Sequence, residues 1–262
     1  MLVFSAICPH PPIAIPNIGK GNLEKIKNTV KALKDLEQEL YAAKPEVIII
    51  ISPHGELIAD AFSLNLNSDY RIDFEEFGDF QTKMEFKSSP LLVLKIKDRV
   101  EGKLPLILSS NNKLDHGAGV PLFYLTKHLK NIEIIPINYS YLNYEKHFEF
   151  GQLLKKEIAK SEKRVAVIAS GDLSHRLTKD APAGYSPAGE KFDQKFIALL
   201  QRKAIRGVLK LEHKLIESAA ECGLRSFLIL LGILEEYKFD IDILSYEGPF
   251  GVGYLVANFK IV

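Results

Sequence analysis

The chain has 262 residues, of which 47% are hydrophobic and 26% are charged, and its formal net charge is +1. This composition is typical of a globular protein that binds neither a membrane nor nucleic acid, because it has no long apolar run and no basic excess. No repeat or linker divides the sequence, so we expect one domain over residues 1–262. We find no signal or transit peptide, and the two cysteines, Cys8 and Cys222, argue against a disulfide framework, so we expect a cytoplasmic protein.

Strands and helices are expected to alternate along the chain. Apolar or alternating stretches predict strands over residues 2–8, 47–51, 61–67, 104–108, 132–137, 165–170, 241–246 and 252–259. Helical spacing predicts helices over residues 22–41, 89–100, 121–129, 143–161, 188–202, 205–211 and 218–236. Residues 70–86 give no clear pattern, and loop 177–187 is long enough to be a lid. The order predicts an α/β fold, a three-layer sandwich with a mostly parallel central sheet and an antiparallel finish.

Four of the seven histidines lie just past predicted strands, and a polar loop precedes one of them, His116. They lie in Pro9-His10-Pro11-Pro12, Ser52-Pro53-His54-Gly55, Asp115-His116-Gly117 and Ser170-Gly171-Asp172-Leu173-Ser174-His175. Ligands bind at the carboxyl edge of parallel sheets, so we expect these four imidazoles to share one site. The remaining histidines, His128, His147 and His213, fall among lysine and glutamate residues and are expected on solvated helix surfaces.

Two imidazoles and a third ligand would form a metal site. Two neutral histidines and one carboxylate make the facial triad that holds non-haem Fe(II), and His10 and His54 are the candidate imidazoles. Glu221 is the first candidate for the carboxylate, because an acid in an apolar setting needs a partner, although it could simply interact with a helix dipole or with Arg225 one turn on. Cys222 is the rival ligand and would suit a softer metal such as zinc. Glu247, at the end of a strand, is the third candidate.

The other two histidine motifs predict catalytic and substrate-binding residues. Asp172 and Ser174 lie close to His175, and a carboxylate or hydroxyl partner can fix an imidazole tautomer for proton transfer. The same turn could serve only as a helix cap. The small residues that begin with Gly117 would let a substrate approach backbone N–H groups, or they could form a simple Gly-rich turn. Asp172 and Gly117 are therefore candidate substrate contacts, together with His116.

In this order, the four histidine motifs resemble those of the catalytic B subunit of class III extradiol ring-cleavage dioxygenases, the LigB family. The resemblance covers nearly the whole chain and includes Glu221-Cys222-Gly223-Leu224-Arg225 and Gly251-Val252-Gly253-Tyr254. It implies that His10, His54 and the acid matching Glu221 bind iron, that His175 is the acid and base, and that His116 contacts the substrate. It therefore implies an Fe(II)-dependent dioxygenase that opens a catechol-type aromatic diol with O2.

Two alternatives to this function follow from the same residues. The Glu-Cys-Gly-Leu-Arg segment also resembles the related Memo-like branch, in which a cysteine lies near the carboxylate position. That resemblance implies a metal-binding protein of a redox or radical-linked pathway, with copper or zinc bound through Cys222 and no ring cleavage. A protein-interaction module with vestigial histidines is the third interpretation. Many LigB relatives use a small subunit or a fused domain to cover the pocket; we expect no such segment in this chain, and a homo-oligomer or a separate small partner subunit remains open.

Overall fold

A ten-stranded mixed sheet carries helices on both of its sides in the computed structural model, which describes residues 1–262. The strands are β1 (Leu2–Cys8), β2 (Val47–Ser52), β3 (Phe62–Asn65), β4 (Asp69–Phe74), β5 (Asp79–Ser88), β6 (Leu106–Ser109), β7 (Glu133–Asn138), β8 (Val165–Ser170), β9 (Phe239–Glu247) and β10 (Tyr254–Ile261). The helices are α1 (Pro16–Gly19), α2 (Lys27–Ala42), α3 (Pro90–Val100), α4 (His116–Leu125), α5 (Tyr144–Lys160), α6 (Pro187–Gln201), α7 (Ile205–Val208), α8 (His213–Ala219) and α9 (Leu224–Leu234). Short 3-10 segments cover Pro12–Ala14, Lys20–Ile26 and Glu75–Phe77. No helix combines the length and the apolar character that crossing a bilayer requires.

The main path of the sheet runs β4-β5-β7-β2-β8-β1-β10-β9. The four central strands β7, β2, β8 and β1 are parallel to one another, whereas β10 and β9 add an antiparallel edge. At the other edge, β4 and β5 form an antiparallel hairpin, and β5 pairs in parallel with the start of β7. β3 pairs antiparallel with the end of β7, and β6 joins β3 in parallel. The predicted α/β fold, with a mostly parallel sheet and an antiparallel finish, is confirmed.

Side chains of the central strand β2 alternate between two cores on opposite faces of the sheet. Val47, Ile49 and Ile51 enter a core of 45 buried residues that also includes residues of α5 and α9. Ile48 and Ile50 enter a second core of 28 buried residues, shared with α2 and α4. Every residue of β2 is buried, as the sequence predicts for a parallel strand covered on both faces. Packing on both faces thus fixes the position of β2, and with it the start of the loop that carries His54.

The helix predicted over residues 218–236 is wrong, because two helices occupy this region. Ala220 follows α8 with a φ of 52°, a left-handed conformation that ends an α-helix. The next helix, α9, begins at Leu224, whose N–H donates to the carboxylate of Glu221. The predicted start of another helix also differs from the structure. α4 begins at His116 rather than at residue 121, because the side chain of Asp115 caps it.

The prediction that His147 lies on a solvated surface is also wrong. The ring is fully buried in α5, with Nδ1 2.8 Å from the carbonyl oxygen of Asn143 and Nε2 3.1 Å from that of Ser140. Burial lowers the pKa of His147 to about 4. His128 and His213 are exposed, as predicted. His147 is therefore a neutral core residue and is separate from the four histidines that follow strands.

Candidate metal centre

Three adjacent strands each deliver a polar side chain two residues beyond their carboxyl ends. His10 follows β1 in this way, His54 follows β2, and Asp172 follows β8. Because β2, β8 and β1 are parallel neighbours, these three ends meet at the same edge of the sheet. The structure thus brings together residues that are far apart in the sequence.

The imidazoles of His10 and His54 approach each other edge to face. Their Nε2 atoms are 3.0 Å apart, and their ring centroids are 4.7 Å apart at an interplanar angle of 89°. Burial lowers the pKa of His10 well below its usual value, and the positive charge of a protonated His54 would lower it further. His54 is more exposed, but desolvation of its packed side also lowers its pKa. Both rings are therefore neutral at pH 7, which is the form that binds metal ions.

A chain of hydrogen bonds fixes the tautomer of His10. Pro121 lies inside α4 and has no N–H, so the carbonyl of Gly117 lacks the donor that a helix normally provides. The hydroxyl of Ser170 donates to this carbonyl instead. The hydroxyl has one hydrogen, so its oxygen accepts from Nδ1 of His10, 2.9 Å away. His10 therefore carries its proton on Nδ1 and presents the lone pair of Nε2 to the site.

Cys222 supplies the third donor beside the two imidazoles. Its Sγ atom is 3.6 Å from Nε2 of His10, and the ligand atoms of His10, His54 and Cys222 all lie within 4.8 Å of one another. Asp172, His175 and Cys222 form a second group within the same limit. Burial, and then the charge of Asp172, raises the pKa of the Cys222 thiol well above its usual value, so metal binding here requires a proton to leave.

The carboxylates favoured by the sequence lie elsewhere. Glu221 belongs to neither group of ligand atoms, because its Oε2 accepts the N–H of Leu224 at 2.5 Å at the start of α9. Burial raises the pKa of Glu221 to about 7. Glu247 accepts both the N–H and the hydroxyl of Thr29, at 2.7 Å each, near the start of α2. The geometry therefore favours the rival ligand Cys222 over Glu221 and Glu247.

Two glycines in contact place Cys222 beside the end of β8. A Cβ atom on Gly171 would lie 2.2 Å from the Cα atom of Gly223, which is closer than atoms can approach. The N–H of Gly223 donates to the carbonyl of Asp172 at 3.0 Å, and the N–H of Asp172 donates to Sγ of Cys222 at 3.3 Å. The connection between α8 and α9 thus packs directly on the loop that follows β8.

His116 lies against the exposed side of the site. Its ring stacks on that of His54, with centroids 4.5 Å apart at an angle of 22°, and meets Phe77 edge-on at 5.0 Å. Asp115, the capping residue of α4, also accepts the hydroxyl of Ser52 at 2.5 Å. This contact ties the start of α4 to the end of β2, so His116 and His54 are held in register.

His175 has an unpaired nitrogen. Its Nδ1 is buried and has no hydrogen-bond partner. Burial lowers its pKa, and the charge of a protonated His54 would lower it further, so the ring is neutral at pH 7. Ser174, one of the expected partners of this imidazole, instead donates its hydroxyl to the carbonyl of Ala219 at 2.9 Å. The neutral ring of His175 can therefore act as a proton acceptor in the site.

The predicted substrate contacts Asp172 and Gly117 are both buried. Oδ1 of Asp172 accepts the backbone N–H of His10 at 3.0 Å, and burial raises the pKa of this carboxyl to about 7. A Cβ atom on Gly117 would lie 2.4 Å from Oγ of Ser52. Both residues hold the histidine-bearing loops in place.

A polar cavity of about 350 Å³ opens beside His54. Its lining residues are His54, Gly55, Glu56, Asn65, Glu76, Ser109, Asn111, Lys113, Leu114, Asp115, Pro136 and Asn138. Three carboxylates face a single amine there, so the cavity is acidic. Apart from His54, Gly55 and Asp115, these residues carry no pattern that predicts a site, and neither do Ser170 and Phe77. Ser170 had one detectable signal, its position as the last residue of a buried strand.

The protein thus belongs to the class of α/β proteins that place imidazole, thiol and carboxylate side chains, all potential metal ligands, at the C-terminal ends of parallel strands. Within that class, residues 5–257 match the family described as the catalytic LigB subunit of aromatic ring-opening dioxygenase. The chain belongs to the LigB family, as its motifs predict.

Relatives of the chain include proteins with and without a described activity. Protein CA_C1420 of Clostridium acetobutylicum is 38% identical over 264 residues, which cover 97% of this chain and 56% of that protein, so the chain spans about half the length of this relative. The 4,5-DOPA dioxygenase extradiol of Beta vulgaris is 27% identical over 199 residues, 73% of each chain. The crystal structure of uncharacterized protein JW3007 from Escherichia coli K12 has the same fold, with a TM-score of 0.68, 15% identity and coverage of 98% of this chain and 99% of that one.

Proposed function

We propose that this protein is a metal-dependent oxygenase of the extradiol type that opens a catechol-type aromatic diol with O2. The observation that carries the proposal is the convergence of the ligand atoms of His10, His54 and Cys222 within 4.8 Å at the sheet edge. Membership of the LigB family supports the class of reaction, and the relative named 4,5-DOPA dioxygenase extradiol supports the class of substrate.

The donor set fits a divalent metal ion. Two neutral imidazoles and a thiol converge, and a thiolate carries the same single negative charge as the carboxylate of a facial triad. We propose that His10, His54 and Cys222 hold Fe(II). When bound, this ion would supply Lewis acidity toward a diol and redox chemistry toward O2. Metal binding would displace the proton of Cys222, and His54 would move its own ring proton from Nε2 to Nδ1.

The roles proposed for the other two histidines follow from their surroundings. His175 would accept a hydroxyl proton from the diol, because its lowered pKa keeps the ring neutral and its buried Nδ1 has no partner in the protein. His116 would donate a hydrogen bond to the substrate oxygen on which negative charge develops, from a ring held by stacking on His54.

The cavity beside His54 supports a polar substrate. Glu56, Glu76 and Asp115 outnumber Lys113 among its charged residues, so the cavity favours a cationic or hydroxylated substituent on the diol and disfavours an anionic one. We therefore propose that catechols with an amine-bearing side chain are better substrates than catechols with a carboxylate alone.

The test is a metal analysis combined with oxygen uptake. The full chain is purified anaerobically, its metal content is measured by mass spectrometry, and the Fe(II)-loaded protein is assayed with catechol, dopamine and protocatechuate. We expect iron to bind in a one-to-one ratio and O2 to be consumed in step with the diol, fastest with dopamine. An iron-loaded protein that consumes no O2 with any of these diols would overturn the proposal.

A second candidate function is favoured by the position of Cys222. A donor set of two histidines and one cysteine also suits copper or zinc, and such a site could serve a redox or radical-linked pathway without ring cleavage. Selective retention of copper or zinc over Fe(II), together with no diol-dependent O2 uptake, would support this function instead.

We further propose that residues 1–262 act as one domain, since both hydrophobic cores lie on the same sheet. The two free cysteines, Cys8 and Cys222, support a reducing, cytoplasmic setting.

A further inference from the structure

Arg225 lies among three tyrosine rings close to the candidate metal centre. Its guanidinium carbon is 4.9 Å from the ring centroid of Tyr144, 5.8 Å from that of Tyr139 and 5.9 Å from that of Tyr141. Aromatic faces stabilise a guanidinium through cation–π attraction, but they accept none of its hydrogen bonds along the plane of the group. The tyrosine rings therefore do not satisfy the hydrogen-bond donors of Arg225.

No residue of the protein satisfies these donors. Nε of Arg225 is buried and has no hydrogen-bond partner. Arg99 forms a salt bridge with Glu157 and Arg206 forms one with Glu235, whereas Arg225 forms none. A buried donor without a partner is costly, so it calls for an explanation, and a bound ligand is one such explanation.

A cavity of about 400 Å³ lies beside the guanidinium. It is lined by Tyr141, Leu142, Asn143, Tyr144, His213, Ile216, Glu217, Ala220, Glu221 and Arg225. None of His10, His54, His175 or Cys222 lines it, so it is separate from the cavity beside His54. Five of the ten lining residues are hydrophobic, and Tyr141 and Tyr144 are among them.

We propose that this cavity is a binding site for an aromatic carboxylic acid, with the carboxylate paired to Arg225 and the aromatic ring packed against Tyr141 and Tyr144. A planar guanidinium binds a carboxylate through two parallel hydrogen bonds, which would satisfy the unpaired donors. Glu217 and Glu221 also line the cavity, so the site disfavours a dianion such as phosphate more than a monoanion that pairs with Arg225. This site does not depend on the proposed oxygenase function.

The test measures binding to the metal-free chain, so that its outcome is independent of catalysis. Benzoate is titrated into protein treated with a chelator, and the heat of binding is recorded by calorimetry. We expect saturable binding of one benzoate and much weaker binding of inorganic phosphate. Absence of benzoate binding, or phosphate binding as tight as that of benzoate, would overturn the proposal.

Variants then assign the site. Arg225→Gln should weaken benzoate binding by about tenfold or more, the value of a hydrogen bond to a charged group. Arg206→Gln is the matched control, because Arg206 also lies over an aromatic ring, that of Phe148, but is already paired with Glu235. Its benzoate affinity should be unchanged. Equal affinities in the two variants would overturn the assignment.

Two further variants keep the test decisive if Arg225→Gln does not fold. Tyr141 is 58% exposed, so Tyr141→Ala should leave the fold intact and weaken binding of benzoate. Glu217→Gln removes an exposed like charge and should tighten benzoate binding by about two- to fivefold. Unchanged benzoate affinity in both variants would contradict the proposed position of the ligand.

Discussion

The Nε2 atoms of His10 and His54 lie 3.0 Å apart although 44 positions separate the two residues in the sequence. Since Ser170 fixes the proton of His10 on Nδ1, the hydrogen between the two Nε2 atoms belongs to His54. This pair holds itself together without a metal ion, and both rings remain neutral at pH 7 because burial lowers their pKa values. The two Nε2 atoms are therefore close enough to bind one cation once the proton of His54 moves to Nδ1.

We predict that Cys222, rather than Glu221, determines metal affinity. Cys222→Ala should weaken metal binding by more than about 100-fold, since even changes to residues that only support a ligand cost 10- to 100-fold. Its thiol has a raised pKa, so metal binding at pH 7 should release close to one proton in the wild type and none in Cys222→Ala. Calorimetry in buffers of different ionisation enthalpy measures both quantities.

The adjacent Glu221→Gln is the matched control for this experiment. It should retain the proton release and the metal affinity, because the carboxyl of Glu221 accepts the N–H of Leu224 and lies outside both groups of ligand atoms. A loss of metal in Glu221→Gln with normal binding in Cys222→Ala would restore the carboxylate as the third ligand.

Ser170→Ala should lower metal affinity by about 10- to 100-fold without removing a ligand. The substitution deletes the acceptor that holds the proton of His10 on Nδ1, so the ring can place its proton on the nitrogen that faces the site. Ser226→Ala provides the control, because Ser226 is also buried but its hydroxyl has no partner. Identical metal affinities for Ser170→Ala and wild type would show that the hydroxyl has no influence on the tautomer.

His175→Ala should retain metal and lose turnover by about two to four orders of magnitude, the usual contribution of general acid–base catalysis. We expect metal binding to be kept because His175 is absent from the group of His10, His54 and Cys222. We expect turnover to fall because the unpaired Nδ1 of His175 is the proposed proton acceptor. Metal content and steady-state O2 uptake are measured on the same preparation. Full turnover with a true substrate would remove His175 from the mechanism, and the exposed His128→Gln checks for effects of losing any histidine.

Gly171→Ala should destabilise the protein by about 2 kcal/mol or more and also weaken metal binding. The added Cβ atom would meet the Cα atom of Gly223 at 2.2 Å, so the segment that carries Cys222 must move away from β8. Gly21→Ala is the control, because a Cβ atom there would meet nothing within 4 Å. Denaturant unfolding measures the loss of stability, and metal titration measures the change in affinity. Normal metal affinity in a destabilised Gly171→Ala would show that the contact between Gly171 and Gly223 does not position Cys222.

Because His147 is buried as a neutral ring, we expect the free energy of unfolding to fall in mild acid. Its folded pKa of about 4 is below the value of 6.5 for an unfolded histidine, so the unfolded chain binds the proton more tightly. The contribution of His147 is therefore complete above pH 6.5 and is lost as the pH falls toward 4, by on the order of 3 kcal/mol. Denaturant unfolding of wild type and His147→Asn across this range measures the difference. Parallel stability curves for the two proteins would contradict the prediction.

The parts of the site that the sequence could predict are those with a strong local pattern. Five consecutive β-branched residues before His54 and an apolar run before His10 define two buried strands, and parallel strands bring their carboxyl ends together. Whether Glu221 or Cys222 faces the two imidazoles depends on the left-handed conformation of Ala220, which ends α8. Glycine or proline would indicate such a helix end, but position 220 is an alanine, so the sequence does not predict it.

The burial of His147 did have a signal in the sequence. It lies three, seven and eleven residues before Phe150, Leu154 and Ile158, which places it on the apolar face of α5. Its immediate neighbours are charged, but neighbours in a helix point in other directions, so their polarity does not describe the face on which His147 lies. The spacing of a residue in a helix is thus a better guide to its burial than the character of its neighbours.

The imidazoles and the thiol of the metal centre are supported by different parts of the fold. His10 and His54 depend on the central strands, whereas Cys222 depends on a connection between two helices that rests on Gly171. We expect an exchange of the side chain at position 222, whose Sγ lies 3.6 Å from Nε2 of His10, to leave the strands that carry the two histidines in place. If the proposed metal centre holds, we expect a single substitution such as Cys222→Asp or Cys222→His to change its preference among metal ions.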